Sequence, residues 1–386
     1  MAVLGDYIRI KHGFAFKGDY ITSDDNGVVL VTPGNFEIGG GFKEKKCKFF
    51  TAEYPKEYVL HAGDLIVTMT DLSKQGDTLG YSALVPKSSR TYLHNQRIGL
   101  VDVFNPEADK NYIYWFMRTS KYQKTVVSTA SGSTVKHTSP SRIYEIEIDL
   151  PPLDEQRCVA ALLGTIEQRI QNNDRINDNL EQQAQTIFKA WFIDFEPFGG
   201  IQPSDWRIST LSEVSNMGAG GDKPQDVSAV MTDAYPYPIY SNGLSDDGLY
   251  GYTNNFKINE ESVTVSARGT IGFVCLRHVP YTPIVRLITL IPDTTVVSAK
   301  YLYLWLKSIR ITGTGTTQQQ LTVPDFRKTE IIVPEQTIMS SFTNRVTPLF
   351  ETIWKNQAEN TKLANIRDAL LPKLMSGELD VFNIDL

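Results

Sequence analysis

The side chains able to do chemistry are present in this chain but are not grouped along it. Its five histidines, His12, His61, His94, His137 and His278, include no close pair of the kind that zinc or general-base sites use, so each reads as a surface or loop residue. Cys47, Cys158 and Cys275 lie more than 100 residues apart, which excludes a disulfide framework or a compact cysteine-based zinc site. The glycine-rich run Met217-Gly218-Ala219-Gly220-Gly221 has no convincing strand before it and no helical pattern after it, so it reads as a turn rather than a phosphate cradle. There is no G-x-x-x-x-G-K-[ST] loop, no G-x-S-x-G elbow, no H-E-x-x-H helix and no Asn-Pro-Pro-aromatic turn of the kind adenine methyltransferases carry. No catalytic residue and no metal site is therefore expected.

What remains is binding chemistry. Lys43, Lys45, Lys46 and Lys48 alternate with Glu44, Cys47 and Phe49, which suits either a solvated strand face or an edge that contacts phosphates. Tyr112, Tyr114, Trp115, Phe116 and Met117 could stack on bases, but their density fits the core of a short helix better. Taken whole, 38 basic against 44 acidic residues gives a net charge of −6, which counts against a nucleic-acid partner. The 386 residues, 41% apolar and 21% charged, are enough for two or three domains with ordinary cores. No apolar run reaches the roughly 18–20 residues of a membrane span, and Met1–Asp6 lacks a basic segment leading into an apolar one. A soluble, cytoplasmic protein with no membrane partner is expected.

The elements that must position these side chains occur twice. Glu147-Ile148-Asp149-Leu150-Pro151 matches Glu330-Ile331-Ile332-Val333-Pro334, and each precedes a Glu-Gln pair and a long helical pattern. Upstream, Ser131-Gly132-Ser133-Thr134 parallels Thr314-Gly315-Thr316-Thr317, and Tyr112–Arg118 parallels Tyr301–Lys307. In the first long helix, from about Asp154 to Phe192, Val159, Leu163, Ile166, Ile170, Asn173, Asn177, Leu180, Ala184, Ile187 and Trp191 follow alternating steps of four and three. Adding 183 gives Phe342, Val346, Leu349, Ile353, Asn356, Asn360, Leu363, Arg367, Leu370 and Leu374. Two such apolar seams most simply cover each other. An antiparallel pairing places Asn173 and Asn177 opposite Asn360 and Asn356, where paired amides disfavour slipped registers. Pro348 predicts a kink or break near Thr347, and Arg367 is expected to reach out along the seam edge.

The fold expected is α+β: two globular, strand-rich domains alternating with two long helices that pack as an antiparallel coiled coil. The divisions are 1–152 (first domain), 153–198 (first helix and link), 199–334 (second domain) and 335–386 (second helix and tail). Trp191, Phe192 and Phe195 exceed what a two-helix seam needs, so they are expected to join a domain core or to meet a partner.

The motifs Leu150-Pro151-Pro152-Leu153-Asp154-Glu155-Gln156, Ile170–Asn177, Ala190-Trp191-Phe192-Ile193-Asp194-Phe195 and Leu370–Leu379 resemble those of the DNA-specificity (S) subunits of type I restriction-modification systems. The resemblance covers the chain and is most specific in the helices. It implies two target-recognition domains, each reading half of a bipartite double-stranded DNA site, on helices that set the spacing and dock two methyltransferase (M) subunits. Restriction-translocase (R) subunits join that core. Such a subunit is non-catalytic and holds no cofactor, with S-adenosylmethionine, ATP and Mg expected in its partners. Arg and Lys read guanine, Asn and Gln read adenine, and Lys, Arg and small hydroxyls contact phosphates. On that basis the DNA-binding candidates are Thr70, Lys74, Arg97, Lys136 and His137 in the first domain, and Arg268, Arg286, Gln318, Gln319 and Gln320 in the second. Ser133, Thr134, Thr316 and Thr317, beside Gly132 and Gly315, are candidate phosphate contacts.

The competing expectation is a coiled-coil scaffold whose globular heads bind protein or glycan rather than DNA. Dividing the charge removes the objection to DNA. Residues 1–152 carry +1 and residues 199–334 carry −1, while the helical segments 153–198 and 335–386 carry −4 and −2. Two near-neutral readers should bind DNA weakly alone, so partner subunits would supply much of the positive field.

Overall fold

A computed structural model describes residues 2–45, 47–73, 75–313 and 320–383. The chain divides into two units: residues 1–172 with 359–386, and residues 173–358. Each holds one strand-rich domain together with part of each long helix.

In the first unit, an antiparallel sheet has the order Ile8–His12, Ile98–Val103, Leu65–Thr68, Ser82–Leu84. Its central strand Leu65–Thr68 is buried on both faces, with Ile66 and Val67 fully enclosed, whereas the edge strand Ile8–His12 buries Ile8 and Ile10 and exposes the residues between and after them. A second sheet runs Ile21–Thr22, Lys48–Phe50, Val28–Val31, Thr91–His94, Val59–Leu60, in which Val28–Val31 pairs in parallel with Thr91–His94. Asp109 caps the aromatic helix Lys110–Phe116 by accepting from the amides of Asn111 and Tyr112. Tyr112, Tyr114 and Trp115 are buried and Phe116 is half-buried against the same core, as the core reading anticipates. His94 departs from the sequence reading: it is a buried strand residue whose Nε2 meets the Ile98 carbonyl at 2.8 Å.

The second unit repeats this plan. Its antiparallel sheet has the order Ser215–Ala219, Ile288–Pro292, Ser262–Val265, Val274–Arg277. Beside it lie Leu249–Thr253, Tyr237–Tyr240 and Thr282–Pro283, the last two parallel. Met217-Gly218-Ala219 is therefore sheet and not turn. The expectation failed because its glycines weaken the strand pattern, although the Ile288–Pro292 strand pairs with it along its length. Ser298 caps the aromatic helix Ala299–Ser308 through the Tyr301 amide.

The long helices run Leu153–Phe192 and Gln336–Met375, 40 residues each, and both ends are offset by 183. They pack antiparallel within each unit, since partners descend one helix as they ascend the other. In the first unit Glu167 meets Arg367 at 2.7 Å, and Asn360 Nδ2 approaches the Ile170 carbonyl at 3.5 Å. In the second, Asn356 Nδ2 donates to Asn177 Oδ1 at 2.9 Å, while Phe188 and Phe192 stack edgewise on Phe342. Asn173 is buried. Arg367 reaches its carboxylate from a half-buried position, and Arg118 lies 3.5 Å from the same Glu167 oxygen. The second helix passes through Pro348 without the break expected there. Two hydroxyls back-bond on this stretch, Thr347 to the Thr343 carbonyl and Thr352 to the Pro348 carbonyl. Among the described residues no helix is long and apolar enough to cross a membrane.

Trp191, Phe192 and Phe195 take the first of the two roles open to them. Phe192 lies in the second unit's core against Trp206 and Tyr301, and Trp191 and Phe195 pack on that core.

The Asn177–Asn356 bond generates a stability prediction. Asn356→Ala strands the Asn177 amide in a half-buried seam and should cost about 1–2 kcal/mol. Replacing both asparagines with leucine should restore or exceed the original stability. Urea unfolding of the two variants reads the difference, and an equal loss in both would contradict it.

Candidate nucleic-acid interface

In the second unit three loops meet at Asn242. Its Oδ1 accepts the Ala267 amide at 2.8 Å and its Nδ2 donates to the Val285 carbonyl at 2.6 Å. Ser266 Oγ donates to the Asn242 carbonyl at 3.1 Å and lies 3.3 Å from the Arg268 carbonyl. The turn Val285-Arg286 has positive φ at both residues, 51° and 60°. That conformation is costly for a β-branched residue and persists only where the surroundings enforce it. Here the Val285 and Arg286 amides donate to the Gly221 and Gly220 carbonyls at 2.8 and 2.9 Å. Gly220 is required by this approach, because a Cβ there would sit 2.8 Å from the Ile284 amide nitrogen. The outcome is an exposed Arg286 on a rigid turn. Beside it, the exposed Arg268 donates through Nη2 to Gln320 Oε1 at 3.1 Å.

The first unit builds the same corner. Gly99 pairs across His12 and Val67, as Ile288 pairs across Ala219 and Val265. Counting back two residues reaches Arg97 in one unit and Arg286 in the other, both exposed. Counting on three from Val67 and Val265 reaches Thr70 and Arg268. Thr68 Oγ1 donates to the Thr70 carbonyl at 2.9 Å, and Ser266 Oγ lies 3.3 Å from the Arg268 carbonyl at the equivalent place. The Thr138 amide donates to the Met69 carbonyl at 3.0 Å, and the Leu321 amide donates to the Ala267 carbonyl at 3.0 Å. His137 and Gln320, one residue earlier, are therefore equivalent. Thr70 Oγ1 lies 3.2 Å from His137 Nδ1, matching the Arg268–Gln320 contact. Gly13 plays the part of Gly220: a Cβ there would fall 2.3 Å from the Asn95 carbonyl oxygen.

Seven of the ten candidate DNA-binding residues can be placed. Arg97, His137, Arg268 and Arg286 are exposed, Lys136 and Gln320 are half-buried, and Thr70 is 5% exposed. Lys136 pairs across Asp71 on the strand that carries His137. Lys74, Gln318 and Gln319 lie outside the described residues, as do Gly315, Thr316 and Thr317. The supports of the corner, Asn242 and Asp71, are residues whose types and neighbours along the chain carry no sign of that role. The Asp71 carboxylate accepts from the Ser73 amide at 2.6 Å, the Thr78 amide at 2.5 Å and Thr78 Oγ1 at 2.7 Å. Of the lysine cluster, Lys43 pairs with Glu37 at 3.2 Å and Lys48 reaches Ser23 at 3.2 Å, while Lys46 lies outside the described residues.

A family model described as the type I restriction modification DNA specificity domain matches residues 3–182 and 203–360, one match in each half of the duplication. The chain belongs to this family. The MjaIX specificity subunit of Methanocaldococcus jannaschii, a type I restriction enzyme subunit, is 29% identical over 301 residues, covering 70% of this chain and 69% of the relative. The EcoBI specificity subunit of Escherichia coli is 22% identical over 416 aligned positions, covering 96% of this chain and 84% of the relative. The crystal structure of a type I S subunit from M. genitalium covers 96% of this chain and 94% of its own, with a TM-score of 0.59 at 17% identity, a likeness of fold. Membership of a DNA-specificity family favours DNA over the protein- or glycan-binding alternative.

Asp71 gives the corner a pH dependence. Burial alone would raise its carboxyl, but the hydrogen bonds from Ser73 and Thr78 outweigh burial and hold it below the usual carboxylate value. A pKa lowered by folding contributes stability that is fully present above the unfolded value of about 3.9 and is lost as pH falls through the folded value. Asp71→Asn should remove that part of the acid sensitivity and lower stability near neutral pH by roughly 1–3 kcal/mol. Unfolding curves at neutral pH and below the carboxylate range measure both effects.

Proposed function

We propose that this chain is the DNA-reading subunit of a type I restriction-modification complex. Each unit reads one half of a bipartite double-stranded site through the corner that carries Arg97, Thr70, Lys136 and His137, or Arg286, Arg268 and Gln320. The carrying observation is the duplication of that corner, with the same hydrogen-bond frame, in both halves of a chain from a DNA-specificity family. Exposed arginines suit guanine edges and phosphates, and a rigid turn lowers the entropy lost when a side chain settles in a groove. The long helices set the half-site spacing, because each contributes residues to both units. They also dock two methyltransferase subunits, and restriction-translocase subunits join that assembly. Methyl transfer and cleavage belong to those partners, which bring S-adenosylmethionine, ATP and Mg; this chain selects the site, in the cytoplasm.

Near-neutral domains make the partners necessary for affinity as well as for chemistry. The domain segments carry +1 and −1, so counterion release from these segments alone is small. The test is co-expression with the methyltransferase subunit of the same operon, followed by sequencing that reports methylated bases. A bipartite motif with one fixed gap is the expected result. Methylation without a bipartite motif, or failure to assemble with a methyltransferase subunit, would sink the reading. Within the assembled complex, Arg97→Ala and Arg286→Ala should each weaken DNA binding about tenfold or more. Loss confined to one half-site marks a base contact, whereas uniform loss with a shallower salt slope marks a phosphate contact. Titration at several salt concentrations separates these outcomes, and unaltered binding by both variants would remove the corner from the interface.

A further inference from the structure

The equivalent corners carry different side-chain pairs on the same backbone frame, and this difference has chemical content. In the second unit Gln320 Oε1 is occupied by Arg268 Nη2, so the amide group of Gln320 keeps its donors free of that contact. Arg268 is exposed and retains further guanidinium donors with no protein partner among the described residues. The pair therefore presents donors almost exclusively. Guanine is the base whose major-groove edge presents two adjacent acceptors, N7 and O6. In the first unit the relation between the two members is reversed. Thr70 is buried and its hydroxyl holds His137 through Nδ1, which leaves the exposed imidazole a single polar atom, Nε2, for a ligand. A one-atom contact cannot reproduce the bidentate fork.

We infer that residues 70 and 137, and their equivalents 268 and 320, form a matched reading pair at the same position of each half-site. The Arg268–Gln320 pair selects guanine there, and the Thr70–His137 pair presents His137 to the corresponding base pair of the other half. This rests on the DNA-reading role proposed above. Within it, Thr70 and Gln320 are positioning residues, while His137 and Arg268 touch the base. The frame tolerates exchange because the bonds common to both corners come from the backbone and from Thr68 or Ser266, not from the reading pair itself. Position 268 carries one of the longest side chains where position 70 carries a short one, without altering those bonds.

The experiment uses the full chain co-expressed with its methyltransferase subunit, with the methylation motif read genome-wide. Arg268→Ala should make one base position degenerate in one half-site, with discrimination for guanine falling roughly tenfold or more. His137→Ala should relax one position in the other half-site and leave the first unaltered. The double exchange Thr70→Arg with His137→Gln should move the His137-dependent position toward guanine. The two alanine variants lie at exposed residues, so they keep the test open if the exchange fails to fold. Where a variant complex methylates too little to yield a motif, binding of the purified complex to duplexes substituted at each motif position replaces the map. Uniform loss across those duplexes identifies a phosphate contact and overturns the inference. So does a wild-type motif from both alanine variants, or relaxation by both in the same half-site. Those results leave the DNA-reading role standing, whereas a wild-type complex without a bipartite motif removes the role itself.

Discussion

Burial of the two helical seams is the constraint on which the rest of this molecule depends. A 40-residue helix with an apolar stripe along its length cannot remain in water, and each stripe is covered partly by the other helix and partly by a domain. In the second unit Ala184, Phe188 and Phe192 of the first helix share one core with Phe342, Val346 and Phe350 of the second and with Leu211, Val263 and Tyr301 of the domain. In the first, Val159 and Leu163 join Leu371 and Leu374 against Tyr112, Ile113 and Trp115. In each unit, helix residues and part of the domain thus share one hydrophobic cluster. A domain that shares its core with a helix cannot pivot on it without opening that core, which is the property a ruler needs.

The two corners inherit this rigidity at one remove. Asn242 ties together loops that leave three different strands, and the Val285-Arg286 turn is held in an unfavourable conformation by amide bonds to a neighbouring strand end. In the first unit Asp71 gathers Ser73 and Thr78 around the start of the same loop. The Arg97 carbonyl accepts the Met69 amide at 3.0 Å, so the backbone of this arginine is tied down as well. Strain at Val285 is sustained because the glycines opposite allow the backbone to approach closely enough to hydrogen-bond.

The large features were legible because they are periodic. The heptad seam, the paired asparagines and the 183-residue offset needed only counting, and the helices begin and end at that offset. The meeting of the site residues was not legible, because the offset between equivalent positions is not constant. It is 183 from His137 to Gln320, 189 from Arg97 to Arg286, 198 from Thr70 to Arg268 and 207 from Gly13 to Gly220. Loops of different length accumulate between the equivalent strands, so a fixed period that aligns the helices misaligns everything upstream. Long-range strand register settles these equivalences, and residue types alone do not carry it. The same limit explains the strand at Met217–Ala219, whose glycines look like a turn until the approach of Ile284 supplies their reason. It also explains Pro348, where the helix gives up one amide bond yet keeps Leu349 and Phe350 packed on the second unit's core.

That drift in offset bears on how two readers in one chain can diverge. Insertions between strands alter loop length without touching the pairings of Gly99 and Ile288, since each is bonded on both sides. The frame at the corner is then held by groups every residue type possesses, amides and carbonyls, with one small hydroxyl in each copy. On the role proposed above, side chains at 70 and 137, or 268 and 320, would serve recognition, while the backbone bonds of the frame do not depend on them. On that role, a substitution at the exposed His137 or Arg268 would alter what is read and leave intact the burial that holds the reader in place. Seam residues such as Val159, Leu163, Ala184, Phe342 and Val346 have the opposite character, because they are shared between a helix and a domain core, and a change in one is felt by both. The chain therefore separates the part that must stay constant from the part that can vary, and the boundary runs between backbone hydrogen bonds and the side chains standing on them.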